Sequence, residues 1–415
     1  MSRKKRPEPS ESAPLSSDVE VAAPSVAEPA SATPPAPQDP APGTTDITVS
    51  RGLGQWLAAH GLSLAFTSYK TGNLILVGVA PNGAVSLHQQ VYPRAMGVHA
   101  QADRLYIGGL YQIWRLENVL GPDDRANGHF DRLFVPRNAQ TVGDVDVHEV
   151  SVDKTGRIVF VNTKFSCLAT VSLKYGFRPI WKPVFISKLA AEDRCHLNGL
   201  AMQDGLPRYV TAVSRSDVIN GWRQRRHEGG VLIDVRTDRI VTDQLSMPHS
   251  PRIWNGQIYA LDSGRGWLIR IDPETGRKED IAFCPGFLRG MTIWNGFAIT
   301  TISLPRESSF AGLELEDALR RRDGDPWCGV LVINLESGDI VEHIQLDGAV
   351  KELFDVAVIP GAVCPMAIGI DSAEISSMIT FERDFAPLDP TARPPPPAAE
   401  GSPARRSEAQ ACAGE

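Results

Sequence analysis

Six cysteines are all that this 415-residue chain contains, and none stands in a C-x-x-C pair or at metal-ligand spacing. Cys167, Cys195, Cys284, Cys328, Cys364 and Cys412 therefore read as small hydrophobes with free thiols, not as a disulfide framework. No eighteen consecutive residues are apolar, which excludes an ordinary membrane-spanning helix. The basic opening MSRKKRPEPSES is followed by no apolar run, so it is not a secretory signal, and the cytoplasm is the expected location. A net charge of −7 leaves no basic excess for nucleic acid or a membrane surface. Nucleotide loops are missing too: the glycines of GGL and EGG belong to hairpins and do not precede helices.

What is present begins with contrast along the chain. Residues 1–47 and 385–415 are Pro, Ala, Ser and Glu text with too little apolar surface to offset ordering entropy, so both are expected to be disordered tails. The PPPP run in the second is a conceivable proline-rich ligand for a protein partner. Between them, over 48–384, the text is short strands and turns, with a 42% hydrophobic chain able to bury a large core. One helix is expected at 51–61, and a second in the insertion at ELEDALRRR, where acidic residues precede basic ones.

Four histidines recur at one place in a repeated phrase: MGVHA (His99), DVHEV (His148), CHLNG (His196) and MPHSP (His249). They stand 49, 48 and 53 residues apart, each ahead of a strand, a turn such as Trp-Asn-Gly, and another strand. A period near fifty filled with short strands predicts an all-β propeller. RGMTIWNG and LFDVAVIPG repeat the opening pattern with Arg289 and Asp355 in place of histidine, which brings the count to six blades. The text at 62–92 lacks such an opening strand. The strands at about 353–370 are therefore expected to complete that first blade and close the ring, removing exposed edges.

The openings of inner strands lie beside a propeller's channel, so the repeat predicts a concave polar site. Its inner ring is His99, His148 with Glu149, His196 with Asn198, His249 with Arg252, Arg289, and Asp355. Second-to-third strand loops add Arg215, Asp262 and Arg306 among others. A repeated histidine can also serve only to cap a turn, but a structural residue would be expected in every blade, and two blades depart from it.

Three chemistries fit these residue types. Imidazoles of His99, His148, His196 and His249 could hold a transition metal ion, the one cofactor the composition suggests. Alternatively His148, His196, His249 and Arg289 act catalytically, with Arg215, Arg252, Arg306, Asn198 and Asp262 binding a small, anionic substrate. The third is a non-catalytic propeller that binds ligands, or proteins through its outer surface. Cys195, next to His196, is the thiol to watch for reactivity.

The segments VHEVSVDKTGRIVFVNT, HLNGLAM and MPHSPRIWNGQIYALDSGRG resemble an uncharacterised bacterial propeller family, a domain of unknown function, some members of which are joined to tetratricopeptide repeats. The resemblance implies the propeller fold and supplies no substrate. HEVSVDKTGRIVFV is also distantly similar to propeller arylsulfotransferases, where channel histidines and an arginine handle the sulfuryl group, and to gluconolactonase-like hydrolases. The latter use Glu, Asn and Asp on a divalent cation, whereas histidine dominates the ring here.

Overall fold

Six sheets, antiparallel except for one edge pairing, stand around a channel in the computed structural model, which describes residues 43–305, 312–382 and 386. Blades 2 to 5 are continuous in sequence, with inner strands Val98–Gln101, Val147–Val152, Leu197–Gln203 and Pro248–Trp254. Blade 6 opens on Phe287–Trp294. Blade 1 takes Val356–Pro360 as its inner strand, against Leu62–Ser68, Asn73–Val79 and Val85–Val91. Inner strands of successive blades touch in order, and blade 6 meets blade 1 to close the ring. The structure is thus a six-bladed propeller completed by Val356–Pro360, the next-to-last strand among the described residues.

Local sequence explains the inner hairpins. Asp204-Gly205, Asn255-Gly256 and Asn295-Gly296 have φ of 54° and 68°, 47° and 74°, and 45° and 84°. Two successive positive φ angles define the tight turn that matches strand twist, and Asx-Gly tolerates it best. The strand residues flanking these turns pair directly, as in Trp254 with Gln257. Apolar residues then fill the layers between blades: Leu64, Phe66, Ile75 and Val77 of blade 1 meet Val330, Val332 and Ile344 of blade 6.

Both ends of the described chain add strands that the sequence reading does not anticipate. Thr45–Val49 pairs antiparallel with Ile340–Gly348 at the outer edge of blade 6, so the first strand among the described residues begins ahead of the expected boundary at 48. Its TDITV is too short an alternation to stand out from the Pro/Ala text. Only Val356–Pro360 of the expected 353–370 strands completes blade 1. Pro365–Ala367 instead pairs parallel with Arg132–Phe134 at the edge of blade 2. Asp131 directs that crossing, its carboxylate accepting the Val363 and Cys364 N–H groups at 3.0 and 2.7 Å.

Helix α1, Leu53–His60, buries Leu53 and Leu57 against the layer between blades 1 and 6. Helix α2, Glu314–Arg321, buries Leu315 and Leu319 against Trp222, Met247 and Phe287. The five described cysteines are buried and unpaired. Cys195 belongs to the layer between blades 3 and 4, and burial pushes its thiol up to about 12, far from a reactive thiolate. Among the described residues no helix is long and apolar enough to cross a membrane. Arg306, Cys412, the PPPP run and residues 1–42 lie outside the described residues.

Candidate functional site

A bulge re-aims the inner strand of blades 3 to 6 near the channel mouth. Counting back five residues from the hairpin gives Asn198 in blade 4, His249 in blade 5 and Arg289 in blade 6. The following N–H makes the same bond in several blades: Gly199 to Thr211 Oγ1 (3.0 Å), Gly290 to Thr301 Oγ1 (2.9 Å), Asp355 to Thr67 Oγ1 (3.1 Å). His148 matches His249, since each ring bonds through Nδ1 to the carbonyl two residues earlier and to a hydroxyl on the neighbouring strand's end. One level of the channel is therefore built by His148, Asn198, His249, Arg289 and Phe354.

The four histidines that look equivalent in sequence occupy three depths. His148 and His249 share that level, and His196 stands two residues nearer the mouth than Asn198. His99 lies three residues past Met96, as Arg252 lies three past His249, and Arg252 is the charge that acts on it. Three strand residues are roughly 10 Å. His99 accordingly takes no part in the mouth cavity, and the expected convergence of four imidazoles is corrected to three.

That cavity, of about 210 Å³, is lined by His148, His196, His249 and Arg289, with Phe287, Phe354 and Trp222 among its walls. Each imidazole has a defined tautomer. Thr163 Oγ1 donates to Leu197 O (2.7 Å), so at 2.8 Å from His148 Nδ1 it can only accept, and Nδ1 carries the proton. Met247 O, 2.7 Å from His249 Nδ1, is likewise an acceptor. His196 Nδ1 donates to the Asp193 carboxylate at 2.9 Å, which also accepts Trp222 Nε1–H at 2.7 Å while the indole stacks on His196 at 4.2 Å. His148 and His249, held neutral by burial, leave Nε2 as the bare base, and Asp193 fixes Nδ1 of His196 as the donor. The Arg289 guanidinium sits between Phe287 and Phe354, 5.3 Å from each ring.

Backbone strain accompanies this arrangement. Arg94, Asp146, His196 and Met247 have φ of 54°, 58°, 51° and 49°, each two residues before Met96, His148, Asn198 and His249. Left-handed non-glycine residues cost energy and concentrate where geometry is functional. Here they turn the Asp146 and Met247 carbonyls onto the imidazoles.

Burial pushes the His148 imidazole down to about 4 despite nearby Asp146, and burial with Arg289 holds His249 well below its ordinary value. Burial works to raise Asp146, but His148, His196 and its ion pair with Arg94 outweigh it and hold the carboxyl low. An unfolded imidazole takes its proton near 6.5, whereas folded His148 stays neutral until about 4. The stability this contributes is complete above 6.5 and is lost as pH falls towards 4, on the order of 3 kcal/mol. Asp355, raised to about 7, opposes it by favouring the fold as pH falls from 7 towards 3.8. The clean measure is thus a difference between variants. His148→Gln should lose less melting temperature than the unaltered chain between neutral pH and pH ~5; equal losses would show that the imidazole is not held neutral.

The remaining expected site residues disperse. Arg252 lies deeper, paired with Glu149 at 2.5 Å and bonded to Leu200 O. Asp262 is buried in blade 5, accepting Ser246 N–H and pairing with Arg265, and burial pushes it up to about 6. Arg215 is exposed on a separate, larger cleft of about 980 Å³ with Arg225 and His227. Asn198 Nδ2 donates to Pro248 O. Glu149 and Asp355 accept N–H groups of the next blade, Leu200 and Val98, and so join blades as well as facing the channel. Asp146, Asp193, Trp222, Phe287 and Phe354 were not anticipated. Asp193 precedes His196 by one helical-like step in EDRCH, a local signal; Trp222 lies in the insertion between the second and third strands of blade 4, a place where only blade 6 also carries a helical insertion among the described residues.

Three bare imidazole nitrogens are donors that a transition metal would accept. Yet among the described residues no group of three or more His, Cys, Asp or Glu side chains is placed to hold a metal ion, and Arg289 adds positive charge to the same cavity. The residues do not fit the expected metal.

Fold and site together define a closed six-bladed propeller with a polar, aromatic-walled cavity at one channel mouth. Over residues 51–368 the chain matches the model of a family described as a domain of unknown function (DUF4915), and it belongs to that family. No curated protein matches. Among solved structures, a chain in a crystal structure of a nidogen/laminin complex is similar, with a TM-score of 0.47 and 11% identity over 72% of this chain and 99% of that one.

Proposed function

We propose that the mouth cavity binds a small anionic molecule and transfers a proton on it, with Arg289 as the anion contact and His196 as the general base. The observation that carries this reading is the set of three imidazoles anchored through Nδ1 around a cavity that also has the Arg289 and Arg223 side chains in its lining, Arg289 being the one at the level of His148 and His249. The Asp193 carboxylate behind His196 favours the imidazolium that forms when Nε2 takes a proton, the role a third group plays behind any histidine base. His148 and His249, kept neutral, accept hydrogen bonds from the ligand and fix its orientation.

Thermal-shift and calorimetric titration of the full chain against small carboxylates, phosphate esters and sulfate esters tests the proposal. At least one should bind, and Arg289→Ala should weaken it about ten- to a hundred-fold, the worth of a charge-assisted hydrogen bond. Binding that survives Arg289→Ala unchanged, or a panel with no ligand, would overturn the anion assignment. Binding without turnover would leave the propeller as a non-catalytic binder.

A further inference from the structure

Below the mouth cavity the channel narrows to a chamber of about 10 Å³. Its walls are His148, His249, Arg289 and Phe354, shared with the cavity above, together with Glu149, Asn198, Ser250 and Asp355. About one probe sphere is the least space that holds a water molecule, and a water needs two to four polar partners. Asn198 is 2% exposed, and its amide orientation is set because Nδ2 donates to Pro248 O at 2.9 Å. Its Oδ1 has no hydrogen-bond partner among the described residues. A buried acceptor left unbonded costs about 1–3 kcal/mol, so Oδ1 calls for a donor in the chamber.

We infer that Asn198 Oδ1 holds one water molecule in this chamber, and that the water links the buried carboxyls Glu149 and Asp355 to His148 and His249 as a proton store for the cavity above. The purpose of the store rests on the acid–base reading of the cavity; its existence does not. Glu149 and Asp355 are nearly unexposed, at 4% and 2%. Burial raises both, and the Glu149 charge raises Asp355 further, while Arg252 opposes the rise in each. Arg289, His148 and His249 face the same chamber, and His99 lies beyond Arg252. Two carboxyls crowded together share a proton more readily than they ionise together.

The step balances without any co-reactant. With no ligand on the imidazole, a carboxyl O–H breaks, the water accepts that proton and passes another to Nε2 of His148 or His249, and carboxylate, water and imidazolium result. The reverse returns the proton. Nδ1 takes no part, since its proton stays on the Asp146 or Met247 carbonyl side.

Two measurements on the full chain, neither needing a ligand, test the inference separately from the anion assignment. A crystal structure fine enough to place waters should show one bonded to Asn198 Oδ1 and to a carboxyl of Glu149 or Asp355. Asn198→Leu, similar in size and without the acceptor, should lack it. A chamber without water in the unaltered chain, or one holding a metal ion, would overturn the site. Infrared titration should show, beyond the raised Asp262, a second protonated carboxyl persisting towards neutral pH, and that second band should be lost in Asp355→Asn. Glu149→Gln keeps the acceptor for Leu200 N–H but removes the charge, and should lower that titration by at least about one pH unit. A band already gone in the ordinary carboxyl range, or unmoved in Glu149→Gln, would overturn the store.

Discussion

A chain ending at residue 351 will lose its cooperative melt. Val356–Pro360 is the inner strand of blade 1, and the strand it covers, Leu62–Ser68, is buried at every position. Without it, that strand faces the channel with unpaired backbone, an open edge in the middle of the molecule. Leu353, Phe354, Val356, Val358, Ile359 and Ile368 are also removed, all buried. Each is worth about 1.5–3 kcal/mol of burial, so together they are comparable to the roughly 5–15 kcal/mol by which a domain is stable. Circular dichroism during heating should show a broad, non-cooperative change for the chain ending at 351 and a sharp one for a chain ending at 382. A sharp transition within a few degrees in both would mean that ring closure contributes little.

The same closure shows how far the sequence could be read. Asx-Gly turns and a missing opening strand at 62–92 are local signals, so six blades and their closure follow from the chain alone. Depth along a channel is not local. It depends on bulges whose extra residue leaves no mark in the spacing, which is why His99 and His196 line up with His148 and His249 on paper but not in space. Pro365–Ala367 was misassigned for a related reason: three residues carry no pattern, and a carboxylate 232 residues away decides their sheet. Trp222 completes the His196 arrangement from the insertion of blade 4 and Asp193 from the loop just before His196, and repeat-based reading is blind to residues that the other blades do not repeat. The residues legible in advance are those the repeat dictates; the ones that tune His196 are those it does not.

That tuning has a measurable consequence on whichever anion of the binding panel turns over. His196→Ala should lower kcat/KM by about 10²–10⁴-fold, the usual contribution of a positioned acid–base. Asp193→Asn keeps the shape but withdraws the charge that stabilises the imidazolium, and an amide offered the wrong way round can favour the other tautomer. Its loss should fall on kcat, with KM little changed, because Arg289 still holds the anion. Trp222→Phe removes only the indole N–H bond to Asp193 and retains most of the stacked surface over His196. One neutral donor to a carboxylate is worth about 1.5–3 kcal/mol at most, so this variant should cost less than Asp193→Asn. The ordering His196→Ala, Asp193→Asn, Trp222→Phe, read from steady-state rates across pH, is the signature of a base oriented from behind. Equal, small losses in all three, confined to KM, would place His196 among the binding contacts and leave the proton transfer without its base.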